Sequence, residues 1–309
     1  MELLEAESDL TCNPDDRGLT PEELHAGVQG QDGLLCTLTD RVDEAFLQEN
    51  SHLKGVANFA VGYNNIDVAA ATARKIPVTN TPGVLTDTTA DIAWALMFAI
   101  GRRIVEGDTL VRSGNWTGWA PLQLLGQDIT GATLGLVGLG RIGKAMVTRA
   151  RGFNMRVLYW NRTRLTEAEE TELGITYASL PGVLAQADFV SIHVALNAET
   201  THLIGAVELA MMKKTAYLIN TARGPIIDEK ALVATLKSGA IAGAGLDVFE
   251  REPALEPGLA ELSNVVIPPH LGSATIGTRT KMGNMAARNV LAACRGETPP
   301  NVVNPEIYR

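Results

Sequence analysis

Three glycines at fixed spacing, in Gly138-Leu139-Gly140-Arg141-Ile142-Gly143, have the arrangement that receives a diphosphate. They follow the apolar run Leu134-Gly135-Leu136-Val137, and Lys144-Ala145-Met146-Val147 then opens a helical pattern. In such a turn the first glycine permits a tight bend, the second lets the backbone approach the diphosphate, and the third lets helix and strand pack closely. The N-terminus of that helix, with Arg141 and Ile142 in the turn leading to it, presents free N–H groups and positive dipole to the anion. An ordinary glycine-rich turn is the competing reading. A second apolar run, Met155-Arg156-Val157-Leu158-Tyr159-Trp160, lies at the distance of a βαβ unit and favours the nucleotide site.

That second run leads into Asn161-Arg162-Thr163-Arg164, where an NAD site usually carries an acidic residue for the ribose, roughly 20 residues past the glycines. No carboxylate occupies the turn. Arg162 and Arg164, with Asn161 beside them, suit the extra phosphate of NADP, so NADP(H) is the preferred cofactor and NAD(H) a possible one. Two solvated surface arginines are the alternative.

Polar residues also stand after later apolar runs, at the strand ends where open α/β sheets bind ligands. Thr221 and Arg223 occur in Asn220-Thr221-Ala222-Arg223-Gly224, Asp247 and Glu252 in Asp247-Val248-Phe249-Glu250-Arg251-Glu252-Pro253, and His270 in Pro268-Pro269-His270-Leu271-Gly272. Read singly, Arg223 is a surface side chain, Glu252 a solvated loop carboxylate and His270 a turn histidine. His193, at the end of another run, reads as structural or as lining a cofactor cleft rather than as an acid.

The elements that must hold these residues follow from the apolar pattern. Runs at 188–194, 216–220, 244–248 and 264–268 are nearly continuous and alternate with helical stretches, as in a parallel, doubly wound sheet. Before the glycines, shorter runs at 33–36, 53–59 and 76–78 alternate with helical stretches at 43–48 and 67–74, forming a smaller α/β unit. Within 88–103, Ile92, Leu96, Ala99 and Ile100 share a helical face, and Arg102 and Arg103 would complement the C-terminal dipole. That helix is expected to cross into the second domain, and the stretch 280–294 to return to the first. The domains are therefore 1–90 with 283–309, and 91–282.

Composition excludes several function classes. The chain of 309 residues is 46% hydrophobic and 20% charged, ordinary for a globular protein of about two domains. A net charge of −9 argues against nucleic-acid or anionic-membrane partners, so any anion must be gripped locally. The acidic start and the short longest apolar run, 92–100, predict a cytoplasmic protein without leader or membrane span. Cys12, Cys36 and Cys294 lack metal-ligand spacing and read as reduced, mostly buried thiols, and no metal is expected.

The chain resembles the D-isomer-specific 2-hydroxyacid dehydrogenases over nearly its whole length, most closely their glyoxylate/hydroxypyruvate reductase branch. Besides the glycine motif, the likeness rests on Val61-Gly62-Tyr63-Asn64-Asn65-Ile66-Asp67, on Asn80-Thr81-Pro82-Gly83-Val84-Leu85-Thr86 and on the three strand-end segments, all in the family's order. It implies a Rossmann nucleotide-binding domain and a smaller flavodoxin-like substrate domain, both doubly wound parallel sheets, with an active-site cleft between them. It also implies that Arg223, Glu252 and His270 form the catalytic set, that Asp247 lies near the nicotinamide carboxamide, and that the Val61-Gly62 backbone holds a substrate carboxylate.

Those roles fit carbonyl reduction, in which negative charge develops on oxygen and both a proton donor and fixed positive charge are needed. His270 would donate the proton to give a D-2-hydroxy acid. Glu252 would orient the imidazole and favour its charged form, and Arg223 would polarise the carbonyl and pair with the carboxylate. Glyoxylate and hydroxypyruvate are the expected 2-oxo acids. A 2-ketogluconate-type reductase and a nucleotide-sensing corepressor on the same fold are the alternatives.

Three departures accompany the resemblance. Family members usually open with a strand and helix before the region matching Glu5 to Thr11, so either the start site is misassigned or the first sheet is short, and a lost strand would leave a neighbour's hydrogen-bonding edge open. Proline is common in the family where Ala195 stands. The stretch after His270 leaves room for one helix and no regulatory domain. Trp119, in Gly114-Asn115-Trp116-Thr117-Gly118-Trp119, is the candidate to reach a neighbouring subunit's active site in a homodimer, or else packs on its own subunit.

Overall fold

The computed structural model describes residues 2–309. The chain divides into two compact units, Met1–Leu85 with Thr275–Arg309, and Thr86–Ala274.

In the smaller unit, β1 (Gly33–Cys36), β2 (Gly55–Asn58) and β3 (Val78–Thr79) form a parallel sheet in the order β1-β2-β3. Three strands in sequence order carry no reversal, so the doubly wound pattern expected of both sheets is confined to the larger one. Alternating side chains send Leu34, Cys36, Val56 and Val78 to a core with Phe46, Leu47 and Ala71, and Ala57 to a second core with Ala286, Val290 and Leu291. The helix Ile276–Cys294 supplies that second face. Gly33 makes room for it: a Cβ there would fall 2.6 Å from Cys294 Sγ. Of the thiols, Cys36 alone is fully buried, Cys294 is half-buried and Cys12 is exposed, and all are free.

The larger unit holds β4 (Thr133–Val137), β5 (Arg156–Trp160), β6 (Thr176–Tyr177), β7 (Phe189–Ile192), β8 (Tyr217–Asn220), β9 (Gly243–Leu246) and β10 (Val265–Val266). All pairings are parallel, in the order β10-β9-β8-β7-β4-β5-β6. The chain starts at β4, winds out through β5 and β6, then returns to β7 on the other side. Ligands of such sheets bind where the order reverses, beyond the carboxyl end of β4. Leu134, Leu136, Val157 and Tyr159 pack into one core, and Val137, Val190, Ile192 and Leu218 into the other, which is why these strands read as unbroken apolar runs.

The helix Thr86–Gly101 lies wholly in the larger unit, burying Ala90, Ala93, Trp94 and Met97. Arg102 and Arg103 fall just beyond its last turn, which holds no basic residue. The helix stops at Gly101, whose carbonyl accepts the Gln127 N–H at 2.8 Å. Arg103 turns to φ 52 and pairs with Glu106 in the next helix, Ile104–Arg112. Among the described residues no helix is long and apolar enough to cross a membrane.

Candidate active site

The glycine turn sits at the end of β4, and each glycine has its own physical requirement. Gly138 adopts φ 99, and a Cβ on it would fall 2.6 Å from the carbonyl carbon of His193, at the end of β7. Gly143 packs helix on turn, since its Cβ would lie 2.6 Å from the Gly138 oxygen. Gly140 caps the helix Arg141–Gly152 without a side-chain hydrogen bond, and a side chain on it would meet nothing within 4 Å. Its backbone is thus the approachable one, at a helix N-terminus suited to a diphosphate. These residues fit a dinucleotide.

At the end of β5, Asn161 ties the turn to the glycines, its Oδ1 accepting the Leu139 N–H at 3.4 Å and its Nδ2 donating to the Thr163 carbonyl at 2.9 Å. The two arginines differ. Arg162 projects outward with one exposed contact, 3.3 Å to Glu199. Arg164 grips Glu170 through Nε and Nη2, both at 2.8 Å, and stacks over Tyr177. The Tyr159 phenol donates to the same carboxylate at 2.7 Å. Hydrogen bonds from Arg164, then Tyr159, hold the Glu170 carboxyl down to about 2. Burial, then the Glu170 hydrogen bond, pushes the Tyr159 phenol up to about 12.

Arg223 follows β8 on a turn closed by Asn220, whose Oδ1 accepts the Ala222 N–H at 3.0 Å and whose Nδ2 donates to the Arg223 carbonyl at 2.9 Å. Gly224 has no space for a side chain because the Phe249 carbonyl packs directly against it. That contact joins the arginine turn to the segment bearing Glu252. Glu252 accepts the Phe249 N–H on Oε1 at 3.0 Å, and its Oε2 meets His270 Nδ1 at 3.0 Å. Burial opposes ionisation of Glu252, but the hydrogen bonds from His270 and Phe249 outweigh it and hold its pKa below the ordinary value. Burial lowers the Arg223 pKa, and the Glu252 charge partly offsets this. Glu252 is therefore the common neighbour of Arg223 and His270.

The loop bearing His270 is clamped by Asp247, at the end of β9. Its carboxylate accepts the Leu271 N–H at 2.6 Å and the Gly272 N–H at 2.8 Å, and Thr89 donates to the Gly272 carbonyl at 3.2 Å. Burial raises the Asp247 pKa, against those two amides and the nearby His270. Thr221, also buried, has an Oγ with no hydrogen-bond partner, so it retains a donor and an acceptor for a bound group. His193 bonds Ser191 at 2.8 Å, and burial pushes its pKa down to about 3, a neutral ring unsuited to proton donation.

In the smaller unit, the carbonyls of Val61 and Gly62 are held by Asn80 and Asn58, whose Nδ2 atoms donate to them at 2.8 Å each. Asn58, Asn80 and Asn220 were not singled out from sequence; lying at strand ends beside Val61-Gly62 and Arg223, they carried a signal only in position. Trp119 is 82% exposed.

A seven-stranded parallel sheet with a glycine turn at its switch point, and a histidine–carboxylate pair with an arginine at its strand ends, define a dinucleotide-dependent oxidoreductase. Residues 94–272 match the family model for the D-isomer specific 2-hydroxyacid dehydrogenase NAD-binding domain. The glyoxylate reductase of Thermococcus litoralis is 52% identical over 284 residues, covering 91% of this chain and 86% of that protein. A Thermus thermophilus crystal structure superposes with TM-score 0.89 at 43% identity, covering 98% and 96%. The NADPH-dependent glyoxylate/hydroxypyruvate reductase of Sinorhizobium meliloti, solved with NADP and malonate, superposes with TM-score 0.81 at 36% identity, covering 88% and 83%. The chain belongs to the D-isomer-specific 2-hydroxyacid dehydrogenase family.

Proposed function

We propose that this protein is an NADPH-preferring reductase of small 2-oxo acids, glyoxylate and hydroxypyruvate, giving the corresponding 2-hydroxy acids, of D configuration where the product is chiral. The Glu252–His270 contact at 3.0 Å, with the Arg223 charge acting on the same carboxylate, carries this reading. A bound reduced nicotinamide supplies the hydride for the carbonyl carbon. His270 donates the proton to the carbonyl oxygen from Nε2, since Nδ1 is turned to Glu252. Glu252 stabilises the imidazolium and fixes its ring. Arg223 polarises the carbonyl and favours substrates with an adjacent carboxylate. The Val61-Gly62 backbone takes that carboxylate, its carbonyls already engaged by Asn80 and Asn58.

For the cofactor, Gly138, Gly140 and Gly143 with the Arg141-Ile142 amides hold the diphosphate, and Thr221 and Asp247 face the nicotinamide end. Arg162 takes the 2′-phosphate. Arg164, already paired with Glu170, supports that turn and adds positive potential rather than a free fork. A homodimer is part of the reading: the helix Ile104–Arg112 buries no residue, and Val105, Val111, Trp119, Leu122 and Leu125 are exposed along one stretch of chain.

One experiment tests the proposal as a whole, a steady-state panel of 2-oxo acids with NADPH and with NADH. Turnover of glyoxylate and hydroxypyruvate with higher kcat/KM for NADPH is expected. No oxidation of either cofactor with any 2-oxo acid would leave a binding protein instead.

A further inference from the structure

Two carboxyl groups outside the catalytic set meet behind it. Glu229 opens the helix Glu229–Lys237 and is 1% exposed. Its Oε1 accepts the Glu250 N–H at 2.8 Å, and Glu250 Oε2 accepts the Glu229 N–H at 3.2 Å. Glu250 Oε1 also meets His202 Nε2 at 2.8 Å. The exchange links the start of a helix to a segment 21 residues away, two residues before Glu252. Phe249, between Gly224 and Glu250, donates its own N–H to Glu252. Position is thus passed from Glu229 to Glu250, along the backbone to Glu252, and from there to His270.

Glu229 Oε2 is buried with no hydrogen-bond partner among the described residues. Burial and the charges of Glu250 and Glu256 oppose ionisation of this carboxyl, while the hydrogen bond from the Glu250 amide and the charge of Arg251 favour it. We propose that Glu229 is a positioning residue of the reductase, whose carboxyl holds the 249–252 segment through the Glu250 amide and so keeps Glu252 on His270. The inference rests on the catalytic reading of Glu252 and His270. Burial raises the Glu229 pKa, and the hydrogen bond from the Glu250 amide works against that rise.

The test is kcat for the wild type, Glu229→Gln and Glu229→Ala, with NADPH affinity measured on each by fluorescence titration. Glutamine keeps an acceptor for the Glu250 N–H, so Glu229→Gln should stay within about threefold of wild-type kcat. Glu229→Ala should lose roughly tenfold or more in kcat while NADPH affinity holds. Wild-type kcat in Glu229→Ala would overturn the proposal, as would Glu229→Gln as impaired as the alanine variant. Should Glu229→Ala fail to fold, Glu229→Asp, one methylene shorter, should lose kcat with NADPH affinity unchanged, and wild-type kcat there overturns it alone. Failure of the underlying catalytic reading shows separately, as near-normal turnover in His270→Ala.

Discussion

Arg164 meets Glu170 with its whole fork, Nε and Nη2 each 2.8 Å from a carboxylate oxygen, so the second of the two arginines after β5 braces the protein itself. A guanidinium committed to a buried carboxylate is already satisfied, and the outward Arg162 is the one open to a phosphate. Arg162→Ala should reduce kcat/KM with NADPH by about ten- to a hundredfold, the equivalent of about 1.5–3 kcal/mol, and change NADH turnover little. Equal losses with both cofactors, or a wild type that prefers NADH, would remove Arg162 from phosphate recognition.

The same brace sets an acid limit on stability. Glu170 is held near 2 against an ordinary value of 4.5, so the folded state binds its proton less readily than the unfolded chain does. Its stabilising contribution is complete above pH 4.5 and disappears as pH falls toward 2. Glu170→Gln should therefore melt at lower temperature than the wild type near neutral pH, and the two curves of Tm against pH should converge in acid. Parallel curves would show that the ion pair contributes nothing.

Catalysis by the strand-end residues gives a third expectation. His270→Ala and Arg223→Ala should each lower kcat/KM with glyoxylate by ~10²-fold or more, with folding unchanged by circular dichroism. Glu252→Gln removes the charged partner that His270 Nδ1 meets at 3.0 Å and should change the pH profile of kcat/KM. A profile superimposable on the wild type would assign Glu252 a different part.

The three glycines should respond differently to one methyl group. Gly138→Ala meets the His193 carbonyl and a φ of 99, and a strain of about 1–3 kcal/mol should appear as a lower Tm. Gly140→Ala meets nothing within 4 Å, so Tm should hold while the NADPH dissociation constant rises. A Gly140→Ala variant with unchanged affinity would argue against a diphosphate at that amide.

Much of this site is legible in residue order. The glycine spacing after an apolar run, and polar residues after four further runs, mark the nucleotide turn and the strand ends, because a parallel sheet buries its strands on both faces and leaves only their carboxyl ends for chemistry. Family membership follows from several such motifs in one order. What residue order leaves open is which charges already have partners. Arg164 and Arg103 look as free as Arg162 until Glu170 and Glu106 are set against them. Glu229 and Glu250 are ordinary acidic residues in the chain, and their exchange of backbone hydrogen bonds comes from folding the intervening stretch back on itself. Spacing is encoded in residue order, whereas the partner of a charge is settled by side-chain geometry, close by for Arg103 and Arg164 and 21 residues away for Glu229.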